Sequence, residues 1–159
     1  MSVNDKIYSR DGRAPVPAKV ATSRVMSANK AKDTKPELLL RKALFQRGIR
    51  GYRLNWKNVP GRPDIAFPGK KVAIFVHGCF WHRCPTCNLT LPKSNQDFWS
   101  QKFTKNVDRD RAKRDQLIAM NWKVITVWEC ELKKNITDTV NNIKNHIFNL
   151  QTDILSIHG

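Results

Sequence analysis

Residues 72–82 read VAIFVHGCFWH, and five consecutive apolar residues in this stretch are followed at once by histidines and a cysteine. A short apolar run rich in valine and isoleucine is typical of a strand that is buried on both faces of a sheet. The polar residues then lie on the loop that leaves the strand. We therefore expect a central strand over Val72–Val76, with the most informative residues of the chain directly after it.

Helices and strands alternate on both sides of this central strand. Thr34-Lys-Pro-Glu37 is a capping box that predicts the start of a helix, and Gly48 predicts its end. Further strands are predicted at residues 51–54, 65–67 and 124–128, and helices at 96–121 and from about 137. The order α-β-β-β-α-β-α indicates an α/β domain with a mixed central sheet flanked by helices.

The chain is strongly basic, because its 159 residues include 29 Lys and Arg against 13 Asp and Glu, a net charge of +16. A compact domain with this charge repels itself, so the excess indicates a polyanionic partner: nucleic acid first, an acidic membrane surface second. The longest apolar run is too short to span a membrane, and no apolar stretch follows the basic N-terminus as in a signal peptide. We therefore expect a cytoplasmic protein with no membrane partner.

Residues 1–30 differ from the rest of the chain, because they are basic and have little periodic hydrophobicity. Such a segment is either an arm that is flexible alone and becomes ordered on a partner, or a solvated tail. We expect an N-terminal arm over residues 1–30, flexible without its partner, and a single folded domain over residues 31–159.

The cysteines fit one zinc site. Cys84 and Cys87 form a C-x-x-C knuckle, Cys79 follows the central strand, and Cys130 follows the strand predicted at 124–128. If these two strands run parallel, their carboxyl ends meet at one edge of the sheet, and four thiolates form a closed structural zinc site. The alternatives are a redox pair, which does not fit because no helix follows the knuckle, and four ordinary buried cysteines.

A second constellation surrounds the histidines. Asp64 comes at the head of the strand next to the central one, so it is expected near Val76 and His77. A carboxylate with a strand-end carbonyl is a hard-oxygen site suited to Mg²⁺, and a neighbouring imidazole, from His77 or His82, can take a proton from the attacking water. Pro-Asp before a strand resembles half of the nuclease pattern PD…(D/E)xK, but residues 72–77 supply neither a carboxylate nor a lysine. The alternatives are an aspartate that caps a turn and histidines that only form hydrogen bonds.

Phe80 and Trp81 are adjacent aromatic residues in this polar loop. On a basic protein such a pair can stack on bases or wedge between base steps. The alternative is that they pack over the cysteine knuckle.

Taken together, the motifs resemble those of the very-short-patch mismatch repair endonucleases (Vsr). The resemblance covers about residues 22–132, and it rests on the following segments: Pro60–Asp64, Ile74–His82, Lys105–Asp110 and Val127–Cys130. It implies a Mg²⁺-dependent endonuclease that nicks double-stranded DNA 5′ of the thymine in a T·G mismatch left by deamination of 5-methylcytosine. It also implies a restriction-endonuclease-like core and a structural Zn²⁺, so that residues 31–159 would form one endonuclease domain.

The resemblance also implies roles for individual residues. Asp64 would bind the catalytic Mg²⁺ through its carboxylate, and Val76 would bind it through its backbone carbonyl. His82 would be the general base, and His77 a second catalytic histidine near the metal-bound waters. Glu37, on the first helix, would help to hold those waters.

Phe80, Trp81 and Met26 would intercalate beside the mismatch. The chain departs from the family pattern at two positions. Val76 replaces a frequent threonine, which leaves the backbone carbonyl unchanged. Cys84 takes the place of a histidine zinc ligand, and an all-cysteine site remains chemically reasonable.

Two rival functions remain at this stage. One is a Vsr-like restriction endonuclease that cuts a matched duplex at a specific site. The other is a non-catalytic, zinc-containing DNA-binding module. We expect a monomer that acts on T·G-mismatched DNA, with other mismatch-repair proteins as further partners.

Overall fold

The computed structural model describes residues 31–148, so the expected basic arm and Met26 lie outside the described residues. The described chain is a mixed α/β structure. Its elements are α1 (Lys35–Gln46), β1 (Arg53–Leu54), β2 (Ile65–Phe67), a 3₁₀ turn (Pro68–Lys70), β3 (Val72–His77), α2 (Gln96–Ala119), β4 (Lys123–Trp128) and α3 (Glu129–Phe148). Across residues 31–148, no helix combines the length and the apolar character needed to cross a bilayer.

The strands form one four-stranded sheet in the order β1-β2-β3-β4. β1 and β2 pair antiparallel, as do β2 and β3, whereas β3 and β4 pair parallel. The sheet is therefore mixed, as the sequence predicted. The parallel register places His77 opposite Trp128, so the chain leaves β3 and β4 at the same edge of the sheet.

Apolar residues on both faces of β3 explain its position inside the sheet. Val72, Ile74 and Val76 belong to the main core, and α1 and α3 contribute to that core through residues such as Leu44 and Ile143. The other face of the strand belongs to a smaller cluster, whose members include Ala73, Phe75, Leu117 and Trp122. Helices therefore cover both faces of the sheet. Phe75 packs in the cluster that contains Leu117 of α2, and residues two apart in a strand share a face, so α2 lies on the face that carries His77.

The first helix begins as its sequence predicts. The Thr34 side chain accepts the N–H of Glu37, and the Thr34 hydroxyl donates to the Glu37 carboxylate at 2.9 Å. Glu37 Oε2 also accepts the N–H of Asp33 at 2.9 Å. These bonds satisfy free donors at the helix start and fix a buried carboxylate in its first turn.

The structure corrects the prediction for the last helix, which begins at Glu129 rather than near Thr137. Asn135 interrupts it with non-helical dihedral angles, and its side-chain oxygen accepts the N–H of Asp138 at 3.2 Å. This bond is an N-cap, so the predicted helix is the part after the break. The first part was missed because polar and charged residues dominate its sequence.

Candidate active site and metal centre

The turn before β2 positions Asp64. Gly61 in this turn has φ +80°, and a Cβ on it would lie 3.0 Å from Phe75 Cζ, so this position requires glycine. Asp64 then comes directly before β2, and its Oδ2 accepts the backbone N–H of Val76 at 2.7 Å. The carboxylate is thereby held at the end of β3, where the sequence analysis expected it.

The Asp64 carboxylate lies in an environment that disfavours its negative charge. Burial, together with the charge of Glu37, raises the pKa of Asp64 from 3.8 to about 6, against the opposing effects of the Val76 N–H and of Arg41. Glu37 is only 3% exposed and accepts a hydrogen bond from Arg41 at 3.1 Å. The negative charge of Asp64 is thus one that a nearby cation would stabilise, and carboxylate oxygens are suitable ligands for a hard cation.

The two histidines of the loop stack on one another. The His77 and His82 ring centroids are 3.9 Å apart, with an interplanar angle of 7°. Trp128, at the end of β4, contacts His77 edge-on at 5.2 Å. Burial, and then the charge of His82, lower the pKa of His77 to about 4. His77 is therefore neutral at neutral pH and has a lone pair available for a proton.

Asp110 on α2 completes this group, although the sequence analysis gave it no role. Its Oδ2 lies 2.6 Å from His82 Nδ1. Although burial acts to raise the pKa of Asp110, the hydrogen bond and charge of His82 bring it below its usual value, so the carboxylate is ionised. An ionised carboxylate only accepts hydrogen bonds, so Nδ1 donates to Asp110, and in the neutral form of the imidazole Nε2 is the nitrogen that can act as a base.

One signal in the sequence could have identified Asp110. Asp110 is the last residue of the segment Lys105–Asp110, on which the family resemblance rests. Other acidic residues of α2 face the solvent, however, and only the orientation of the helix on the sheet distinguishes Asp110 from them. Ligand atoms of His77, His82 and Asp110 all lie within 4.8 Å of one another, so this group could also hold a metal ion.

The aromatic residues of the loop pack against α2. Phe80 contacts Trp81, Trp99 and Phe103 edge-on, with ring centroids 5.1, 5.8 and 5.1 Å apart. Asn106 donates a hydrogen bond to the Trp81 carbonyl at 3.0 Å. Phe80 and Trp81 both stay partly exposed. The packing is therefore on α2 rather than on the cysteine knuckle, and it leaves part of each ring accessible.

The four cysteines gather at the edge of the sheet where β3 and β4 end. The sulfur atoms of Cys79, Cys84, Cys87 and Cys130 lie within 4.8 Å of one another, so the cluster could hold a metal ion. Cys84 Sγ and Cys130 Sγ are 3.8 Å apart. Four sulfurs at the Zn–S distance in a tetrahedron are separated by about 3.8 Å, so the spacing fits zinc.

The cysteine cluster also has the electrostatics of a cation site. Burial and the neighbouring sulfur atoms raise the pKa of Cys130 to about 12. Adjacent thiolates repel one another, and a divalent cation removes this repulsion. The two strand ends thus place the cysteine cluster and the histidine pair side by side, joined by the loop from His77 to His82.

One protein family, described as DNA mismatch endonuclease Vsr, has a sequence profile that matches residues 16–88. This range includes Glu37, Asp64, both histidines of the loop and three of the four cysteines. The match therefore contains most of the site described above.

Individual relatives extend the similarity toward the C-terminus. The type II nicking enzyme V.NmeAIP of Neisseria meningitidis serogroup A is 50% identical over 110 residues, which are 69% of this chain and 77% of that protein. The type II nicking enzyme V.NaeI of Lentzea aerocolonigenes is 40% identical over 141 residues, 86% of this chain and 84% of that protein. The DNA mismatch endonuclease Vsr of Escherichia coli K12 is 36% identical over 127 residues, 79% of this chain and 81% of that protein.

Proposed function

Because the chain belongs to the Vsr family and is a DNA endonuclease, we propose that it nicks one strand of duplex DNA 5′ of the thymine in a T·G mismatch. The mismatch would arise by deamination of 5-methylcytosine. The observation that carries this proposal is the contact between Asp64 and the end of β3, next to a histidine pair backed by Asp110. A carboxylate that can bind a cation, beside a base held in one tautomer, can promote hydrolysis of a phosphodiester by water.

The core would be of the restriction-endonuclease type. Its support is the hairpin of β2 and β3, with Asp64 at the head of β2, and the parallel strand β4 next to it. This arrangement brings the acidic residue and the strand-end loop to one site. The lysine of the PD…(D/E)xK pattern is missing from β3, so the histidines would take over its part in activating the attacking water.

Asp64 and the Val76 carbonyl would hold a Mg²⁺ ion. The residues fit this ion, because the donors are hard oxygens. The pKa of Asp64, raised to about 6, means that its surroundings disfavour the negative charge, which a bound cation would stabilise. When bound, Mg²⁺ supplies a Lewis acid that stabilises charge on the phosphate.

The chain's own groups would move the proton. His82 would accept the proton of the attacking water at Nε2, while Asp110 holds Nδ1 and stabilises the resulting imidazolium. His77 stacks on this ring and fixes its plane. Glu37, held by Arg41 and the helix start, would orient water molecules at the site.

The cysteine cluster would bind a structural Zn²⁺ ion. Its sulfur spacing fits tetrahedral coordination, and the ion would fix the loop that carries His82. The purified chain is expected to contain one zinc ion per molecule by elemental analysis. Replacement of Cys84 by serine should lower both the zinc content and the melting temperature, and an unchanged zinc content would contradict the assignment.

Phe80, Trp81 and Met26 would intercalate beside the mismatch. The partial exposure of both loop aromatics supports this role, and a mismatched pair costs less to unstack than a matched one. The net charge of +16 would supply contacts to the DNA backbone. We further propose that the enzyme acts in the cytoplasm as a monomer, together with other mismatch-repair proteins.

A second candidate function is the nicking of a matched duplex at a specific site. The names of two relatives support it, because they describe type II nicking enzymes without mention of a mismatch. The two candidates share the same chemistry and differ only in the substrate.

The test uses end-labelled duplexes in which the central pair is T·G, T·A or C·G and the flanking sequence is varied. The purified chain with Mg²⁺ should nick only the thymine strand of the T·G duplex. Equal nicking of the matched duplexes would support the second candidate. Cleavage of none of the duplexes, in any sequence context, would reject both.

A further inference from the structure

The proposed core lacks a lysine on β3, since Val72–His77 contains none. Hydrolysis of a phosphodiester concentrates negative charge on the phosphate oxygens in the transition state. A cation placed there in advance stabilises that charge, and its removal slows the reaction strongly. The site described so far contains two imidazoles and three carboxylates, and its one cationic side chain, Arg41, is already paired with Asp33 and Glu37.

The inward face of α2 supplies a candidate. Leu117 packs in the cluster of Ala73, and Asp110 bonds to His82. Lys113 lies one helical turn from each of these two residues, so it shares their face of the helix. This face is directed toward the side of the sheet that carries His77.

The stem of Lys113 is fixed against the turn that precedes Asp64. A Cβ on Gly61 would lie 3.1 Å from Lys113 Cβ and 3.2 Å from Lys113 Cδ, so the two residues are in close contact. The side chain is partly buried. The aliphatic part of the Lys113 side chain thus extends from α2 to the turn before Asp64. This contact limits the positions that its ammonium group can take.

The charge of Lys113 reaches the histidine group. It contributes to the lowered pKa of Asp110, whose carboxylate contacts His82 Nδ1 at 2.6 Å. The ion pairs found among residues 31–148 do not include Lys113, and the nearby Asp110 carboxylate pairs with His82 instead. The ammonium group is therefore free to bind an external anion.

We propose that the Lys113 ammonium binds a non-bridging oxygen of the phosphate that is cut, and so supplies from α2 the cation that β3 lacks. This inference rests on the nicking site of the proposed function. It assigns Lys113 as a further catalytic residue, because its contact is with the reacting phosphate. A basic residue on the opposite side of α2 lies away from the reacting phosphate, so its loss should leave the rate of the bound complex unchanged.

The test measures single-turnover nicking at saturating enzyme, with Lys113→Met, which keeps the stem against Gly61 and removes the charge. The rate constant should fall by about 10-fold to 100-fold, as for loss of one charge-stabilising donor. Lys113→Arg should recover most of the rate, because the positive charge returns. Arg111→Met is the matched control, because Arg111 is exposed on the opposite side of the same helix and its loss removes the same charge.

The controls separate the possible failures. Circular dichroism and the melting temperature check that the variants fold, and Lys113→Gln replaces Lys113→Met if the latter does not fold. The inference is wrong if Lys113→Met and Arg111→Met slow nicking equally, or if Lys113→Met weakens DNA binding and leaves the saturated rate unchanged. A wild-type chain that nicks no duplex would reject the proposed function itself, and this inference with it.

Discussion

The two aspartates at this site, Asp64 and Asp110, occupy environments that shift their pKa values in opposite directions. Burial raises the pKa of Asp64 to about 6, whereas the pairing with His82 keeps the pKa of Asp110 low. The first carboxylate is therefore poised to gain a cation, and the second is already partnered. Such a division, produced by the surroundings of chemically identical groups, is how active sites assign different roles to carboxylates.

Loss of the Asp110 charge should disturb the tautomer of His82. In Asp110→Asn the amide can donate to Nδ1, which moves the imidazole proton to Nε2 and removes the base. The single-turnover nicking rate is expected to fall by roughly 10³-fold to 10⁴-fold, the size seen when a base loses its orienting carboxylate, while duplex binding persists. Asp108→Asn is the control, since Asp108 is exposed on the same helix. Equal effects of both substitutions would contradict the pairing.

Asp64 should destabilise the magnesium-free protein. Its folded pKa is raised from 3.8 to about 6, so its contribution to stability is complete below pH 3.8 and is lost as the pH rises through 6. Asp64→Asn should therefore raise the free energy of unfolding at pH 7.5 by about 1–3 kcal/mol, with little change at pH 4. Urea unfolding at both pH values measures this. Asp115→Asn, at an exposed position, is the control and should change the free energy of unfolding equally at both pH values. An Asp64→Asn variant that is less stable than the wild type at pH 7.5 would contradict the prediction.

Among the elements, the strands were the most predictable. The apolar runs of β3 and β4 predicted two buried strands, and the parallel pairing on which the expected cysteine site depended is present in the structure. The residues that α2 directs inward were not predictable, because Asn106, Asp110 and Lys113 differ from the charged residues of its outer side only in direction. The helix is long and mostly polar, so its sequence contains few apolar residues that would reveal its orientation.

The loop from His77 to His82 depends on α2 for its position. Asn106→Ala removes the hydrogen bond to the Trp81 carbonyl, and the free energy of unfolding should fall by about 1 kcal/mol. The nicking rate should fall as well, because this loop carries His82. Asn145→Ala, on an exposed part of α3, should be neutral or slightly stabilising, since alanine favours helix. An Asn106→Ala variant as stable and active as the wild type would show that the hydrogen bond from Asn106 to Trp81 is not needed to position the loop.

At the scale of the whole molecule, one topological feature explains the positions of both sites. Two parallel strands end at the same edge, where His77 is the last residue of β3, Cys79 lies on the loop after it, and Cys130 lies in the first turn of α3, directly after β4. Two contacts were predictable from the sequence: the clustering of the four cysteines and the approach of Asp64 to the end of β3. The sequence did not predict the contacts of α2, which are made between residues far apart in sequence and depend on how the helix crosses the sheet.

We propose that Asp64 and the histidine pair form one site that cuts DNA. The most direct measurement compares wild type and Asp64→Asn on the duplex that the wild type nicks, with Mg²⁺ and at saturating enzyme. We expect the variant to bind this duplex within about threefold of the wild type and to nick it at least about 10³-fold more slowly. A variant that nicks at the wild-type rate would contradict the claim.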